Sequence, residues 1–183
     1  MEIRSNKQLI DELSQGKQAK YIFFWGHQNQ KNEVNKSCFS QWFESSFEVE
    51  GNKFSTAEHY MMHAKALLFN DMNAAQRVLL AKTPGEAKAI GREITHFDES
   101  TWLAHRFDIV VKGNLAKFSS TPALMQFLLN TKDRVLVEAS PVDKIWGIGL
   151  AQDSPVIDMP TQWKGLNLLG YALMEVRARL AAS

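Results

Sequence analysis

Apolar positions along the chain switch between helical spacing and short, dense, strand-like runs. Ile3, Leu9, Ile10 and Leu13 mark a short N-terminal helix. Tyr21-Ile22-Phe23-Phe24-Trp25 then has the aromatic and β-branched density of a buried strand ended by Gly26, and the polar stretch HQNQKNEVNKS reads as a loop. Phe47-Glu48-Val49-Glu50 alternates apolar with charged residues, Gly51-Asn52 supplies turn chemistry and Lys53-Phe54 resumes, which predicts a small hairpin leading into a helix from near Thr56.

Helices dominate the middle of the chain. Met72, Ala75, Leu79 and Leu80 mark one, and Thr83-Pro84-Gly85-Glu86 starts another with proline in its first turn and glutamate at the capping-box position, Gly91 being its expected end. Leu103, Phe107, Val110 and Phe118 recur at helical spacing, and Thr121-Pro122 opens a helix carrying Leu124, Phe127 and Leu128. Val135-Leu136-Val137-Glu138 reads as a short buried strand, SPVDKIWGIGL follows no regular period, and Leu169, Leu173, Val176 and Leu180 stripe a final helix. The pattern predicts an α+β, helix-dominated fold with a few short strands, in one domain over residues 1–183 with residues 1–20 as a helical extension.

Composition narrows the function classes. The chain is 45% hydrophobic and 22% charged, which excludes disordered and fibrous classes, and its net charge of +1 lacks the basic excess that binds nucleic acid independently of sequence. A nucleotide-like partner is therefore expected in a local pocket. The lone Cys38 leaves no intramolecular disulfide and no cysteine-rich zinc site, and reads as a small buried residue. The polar N-terminus and the absence of a membrane-length apolar run predict a cytoplasmic protein with no membrane partner.

The candidate chemistry centres on FSTAEHYMMHAK, residues 54–65, where Glu58 has three readings. Ser55 followed by Glu58 matches a capping box, with Phe54 placed to pack on the first turn. His59 and His63, at i and i+4, share a helix face as metal ligands do, but Glu58 precedes His59 and points about 100° away from it, unlike a metalloprotease glutamate. The third reading follows a stripe: Glu58, Met61, Met62 and Lys65 lie on one face, the two charges roughly 10 Å apart and so beyond a direct ion pair. Such a strip can floor a pocket for a flat ring with polar ends.

Elsewhere Glu138 and Asp143 flank the VEASPVDKIWG loop, Trp146 stands beside Gly147, Trp102 is followed by Arg106, and Arg92 follows Gly91. Each also has a structural reading: Glu138 as a strand end, Asp143 as the shaper of the turn after Pro141, the tryptophans as core.

Taken together, these residues resemble the NADAR superfamily, the YbiA-like N-glycosidases. Phe39-Ser40-Gln41-Trp42, a hairpin, and Thr56-Ala57-Glu58-His59-Tyr60 with Lys65 match its opening pattern. The similarity continues through Thr83-Pro84, Ala89-Ile90-Gly91-Arg92, Trp102, Lys117-Phe118, Leu136 to Ser140, Asp143, Trp146 to Gly149, and Asn167 to Gly170, covering roughly residues 21–180.

The resemblance implies a hydrolase of N-glycosidic bonds that needs no metal or cofactor. Its substrates would be phosphorylated ribosylamino-pyrimidine intermediates of riboflavin synthesis or, in other members, ADP-ribose on guanine; a noncatalytic module that binds ADP-ribose or a related nucleotide through the Lys, Arg and Trp positions is the alternative. Breaking such a bond builds positive charge on the sugar, which a carboxylate stabilises while it deprotonates the attacking water. Glu58 is the expected catalytic carboxylate and Asp143 the second. Trp146, Trp102 and Trp25 are expected against base or sugar, Lys65 and Arg92 against phosphate or an anionic leaving group, and Glu138 and Asn167 as further substrate contacts. The chain departs from the family pattern at Gln41, where relatives usually have asparagine, at His63, which replaces a more usual glutamine, and between Trp25 and Phe39. The distant loop carrying Asp143 and Trp146 is expected to meet Glu58 in space.

Overall fold

In the computed structural model, which describes residues 3–27 and 34–183, polar caps set the helix starts. Ser5, Thr56, Asp71, Thr83, Asp98 and Thr121 each accept a hydrogen bond from a first-turn backbone N–H, ahead of α1 (Asn6–Ser14), α2 (Ala57–Leu68), α3 (Met72–Leu80), α4 (Pro84–Arg92), α5 (Glu99–Ser119) and α6 (Pro122–Leu129). Proline occupies the first turn of α4 and α6, where its missing N–H costs nothing. The last helix is α7 (Leu168–Ala182). The architecture is helix-rich with few short strands, as the apolar pattern predicts.

Among the described residues, four strands form two separate pairs. β1 (Tyr21–Phe24) runs parallel to β4 (Val135–Glu138), with Tyr21 beside Val135 and Phe24 beside Glu138. β2 (Phe47–Val49) and β3 (Asn52–Phe54) form the antiparallel hairpin. Glu50 and Gly51 both take positive φ, 51° and 80°, so the turn sits one residue earlier than Gly51-Asn52 and has the twist that a two-residue hairpin needs.

The core is built around β4. Val135, Leu136 and Val137 are all buried, as a parallel strand covered on both faces requires, and α7 packs across it and against α5. A Cβ on Gly170 would fall 2.0 Å from the Leu136 carbonyl oxygen, so glycine is what lets α7 come this close. Leu169 through Arg177 are buried all round, which makes α7 a central helix rather than the one-sided stripe seen in the sequence.

Three further sequence expectations shift. The first strand ends at Phe24, leaving Trp25 57% exposed, because Phe24 fills the core and the chain then turns at Gly26. The cap of α2 is Thr56 rather than Ser55. Gly91 lies inside α4 rather than ending it, since a Cβ there would meet Met62 Sδ at 2.0 Å where α4 crosses α2. The predicted loop after Trp25 falls partly on residues 28–33, outside the described residues, and closes in a 3₁₀ turn at Lys36–Phe39.

Candidate active site

Glu58 owes its freedom to the one-residue shift of the cap. The Thr56 hydroxyl accepts the His59 N–H at 3.3 Å and shares a 2.7 Å hydrogen bond with His59 Nδ1. His59 therefore occupies the position from which a capping-box side chain would reach back, and Glu58, one residue earlier, faces away from the cap. Its backbone N–H is satisfied instead by the Gln41 carbonyl at 2.9 Å. The side chain is 4% exposed.

Glu58 lines a cavity of about 610 Å³, and so do Asp143, Lys65, Arg92, Trp102, Trp146, Trp25 and Glu138. This is a volume suited to a nucleotide-sized ligand. α2 supplies the floor through Glu58, Met61, Met62 and Lys65, the stripe read from helical spacing. The wall opposite comes from the carboxyl ends of the parallel strands, where β1 releases Trp25 and β4 releases Glu138. Arg106 is not among the lining side chains.

Three carboxylates among the described residues share this space. Burial pushes Glu58 up to about 7, opposed by Lys88, with Asp143 adding to the rise and Arg92 and Lys65 pulling against it. Burial likewise pushes Glu138 up to about 8, reinforced by the charges of Asp143 and Glu58. Glu138 Oε2 is buried with no hydrogen-bond partner among the described residues. Asp143 is committed to its loop, where Oδ1 accepts the Ile145 and Trp146 N–H groups, each at 2.8 Å, and it also lines the cavity.

That loop is irregular yet internally satisfied. Ile148 N–H donates to the Glu138 carbonyl at 3.0 Å, Gly149 to Asp143 at 3.0 Å, and Asn167 to Gly147 at 3.1 Å. A chain segment so bonded presents Asp143 and Trp146 at fixed positions.

The cations sit on α2 and α4. Lys65 Nζ donates to the Gly91 carbonyl at 2.8 Å and lies 4.7 Å from the Phe97 ring centroid and 5.4 Å from that of Trp102. Burial lowers its pKa while the Glu58 charge opposes the change. Arg92 is exposed at the cavity edge.

Asn167 is placed differently from the other expected contacts. It is fully buried in the left-handed conformation with φ 53°, accepts the Glu138 N–H at 3.0 Å and donates to the Leu136 carbonyl at 2.9 Å. It pins β4 from behind instead of lining the cavity. His59 is similarly engaged, its Nε2 lying 3.1 Å from the Ala81 carbonyl, and His63 packs edge-on against Phe54 with 5.2 Å between ring centroids. Among the described residues no cluster of three or more His, Cys, Asp or Glu is arranged to hold a metal.

Lys88, Trp42 and Gln41 also line the cavity, beyond the site residues expected from the sequence. Lys88 stands four positions before Arg92 on α4, so helical spacing alone puts the two on one face. Trp42 and Gln41 carry no such signal, because they lie in non-periodic chain between the 3₁₀ turn and the hairpin.

The NADAR domain profile matches residues 23–181. This chain belongs to the NADAR family. The N-glycosidase of Acanthamoeba polyphaga mimivirus is 44% identical to it over 163 residues, spanning 86% of this chain and 95% of the viral protein. A chloroplastic riboflavin biosynthesis protein of Zea mays is 34% identical over 132 residues, 68% of this chain and 19% of the maize protein. The NMR structure of the E. coli protein YbiA superposes with a TM-score of 0.72 at 28% identity, covering 91% of this chain and 88% of that one. Among the described residues no helix is long and apolar enough to cross a membrane.

Proposed function

We propose that this NADAR chain is an N-glycosidase that hydrolyses the bond between ribose and a base nitrogen, its substrates being phosphorylated ribosylamino-pyrimidines of the riboflavin pathway. The observation that carries the reading is one cavity lined by buried Glu58, half-buried Glu138 and Asp143 together with Lys65, Lys88 and Arg92. The names of the viral N-glycosidase and the maize riboflavin biosynthesis protein support it.

Glu58 takes a proton from the attacking water and its charge stabilises the cationic sugar; an ionisation near 7 suits a base working at neutral pH. As the ribose–nitrogen bond breaks, its electron pair passes to the base. Glu138, still protonated at that pH, supplies the proton that the departing nitrogen needs. Asp143, held by its loop, is the second carboxylate beside the developing charge. Trp102, Trp146 and Trp25 offer faces for the base, and Lys65, Arg92 and Lys88 meet the phosphate. No cofactor enters this reading, and a cytoplasmic location accords with it.

A second substrate, ADP-ribosylated guanine, is favoured by one feature. Trp25 at 57%, Ile145 at 45% and Val142 at 83% exposure form an apolar rim on which a larger attached group could rest.

The test incubates the protein with ribosylaminopyrimidine phosphates and with ADP-ribosylated guanine, following free base and sugar phosphate by mass spectrometry. Release from the first, lost about 100-fold or more in Glu58→Gln with the fold and ligand binding intact, is expected. Unchanged turnover in that variant refutes the assignment.

A further inference from the structure

One face of α4 lines the cavity. Lys88, Gly91 and Arg92, at i, i+3 and i+4, all belong to it, beside the floor that α2 supplies through Glu58, Met61, Met62 and Lys65. The two helices meet where Met62 lies on Gly91: a Cβ at that glycine would fall 2.0 Å from Met62 Sδ and 3.0 Å from its Cγ. Met62 is 7% exposed, so its thioether is enclosed, and the backbones approach more closely than a side chain at position 91 would allow. A second tie is made at the same residue, where Lys65 Nζ donates to the Gly91 carbonyl at 2.8 Å. That carbonyl lies in the last turn of α4, beyond the reach of intrahelical N–H groups, so a cation from α2 caps the negative end of α4.

What depends on this spacing is electrostatic. Lys88 and Arg92 form no ion pair among the described residues, which leaves both charges to act on the cavity. Of the charges around Glu58, Lys88 acts most strongly and favours the ionised form; Asp143, from the loop after β4, opposes it, and Arg92 and Lys65 add to it. Glu138, at the end of β4, feels Lys88 and Glu58 in turn. Two of the three cations acting on Glu58 are thus carried by α4. Coulomb energy falls with separation, so the distance between α4 and α2 governs their effect.

We propose that Gly91 is a positioning residue: lacking a side chain, and braced by Met62 and Lys65, it sets how close α4 brings the Lys88 and Arg92 charges to the Glu58 carboxylate. The effect on turnover rests on the N-glycosidase reading, in which ionised Glu58 takes a proton from water. When a methyl group wedges α4 away from α2, both cations recede and Glu58 holds its proton to a higher pH. The acid limb of kcat/KM then moves up with it.

The experiment is a double-mutant cycle of Gly91→Ala with Met62→Ala. In the Met62→Ala background the atoms at 2.0 and 3.0 Å are gone, and the added methyl group meets only the β-carbon of residue 62, at 3.5 Å, an ordinary contact. Each protein of the cycle is titrated in two ways. One is the acid limb of kcat/KM on a ribosylaminopyrimidine phosphate; the other is the carbon NMR signal of the Glu58 carboxyl, identified by its loss in Glu58→Gln. Gly91→Ala is expected to raise both by about 0.3–1 pH unit in the wild-type background and by less than about 0.2 in the Met62→Ala background. No shift, a downward shift, or equal shifts in the two backgrounds overturn the proposal, and so does a loss of stability with the titration unmoved, which signifies a purely structural glycine. If Gly91→Ala does not fold, Gly91→Ala/Met62→Val, which lacks the atom at 2.0 Å, carries the measurement against Met62→Val with the same expected direction. Should wild type release base from no N-glycoside, the N-glycosidase reading falls on its own, and the NMR titration decides the Gly91 inference by the same criteria.

Discussion

The N–H of Glu58 donates to the carbonyl of Gln41 at 2.9 Å, tying the first turn of α2 to the segment that follows the Lys36–Phe39 turn. The bond satisfies a helix-end donor that no side chain caps, and it makes the position of Glu58 depend on where Gln41 lies. Gln41 in turn depends on the fully buried Lys117, which holds the two carbonyls at Cys38 and Ser40.

Lys117→Met is expected to destabilise the protein by about 2–4 kcal/mol, because both carbonyls lose their donor inside the core. Turnover should also fall at temperatures where the variant is still folded, as Gln41 and Glu58 drift together. Urea unfolding gives the first quantity and assay well below the melting temperature the second. An unchanged kcat in the folded variant would separate Glu58 from this support.

Glu138 carries a signed pH dependence. Its carboxyl is raised by burial from 4.5 to about 8, so between those values the folded chain holds a proton that the unfolded chain has released. Stability contributed by this group is complete below pH 4.5 and is lost as pH rises through 8; Glu58, raised to about 7, acts in the same direction. Glu138→Gln is therefore expected to be more stable than wild type by about 2–4 kcal/mol at pH 9, with the two converging near pH 4. Denaturant titrations at both pH values check this. The same variant should lose the alkaline limb of the kcat/KM profile.

Arg92 is exposed, and its part in the proposal is to meet an anionic group. Arg92→Ala is expected to lower kcat/KM about tenfold, mainly through KM, while leaving stability within about 0.5 kcal/mol. Kinetics on substrates with and without the phosphate decide the matter, since the loss should disappear with the phosphate.

Asn167 acts at a distance from the substrate. Asn167→Ala leaves the Glu138 N–H and the Leu136 carbonyl unbonded and keeps a left-handed backbone that alanine tolerates poorly, so a loss of about 2–4 kcal/mol is expected. Thermal unfolding measures it. A variant with wild-type stability and a raised KM would return Asn167 to the substrate contacts expected from the sequence.

Local chemistry determined most of the elements. Thr83-Pro84 and Thr121-Pro122 state helix starts wherever they occur, and the geometry of one helix was enough to put Glu58, Met61, Met62 and Lys65 on one face. The ordered motifs placed the chain in its family. Tertiary structure alone decided that Thr56 rather than Ser55 caps α2, that Asn167 pins β4, and that Gln41 and Lys88 join the cavity wall. It also decided that Glu58 and Glu138 keep their protons to near-neutral pH. The physical reason is that periodicity reports which side chains share a face of one element. Burial and Coulomb interaction depend instead on distances across space between residues far apart in the chain.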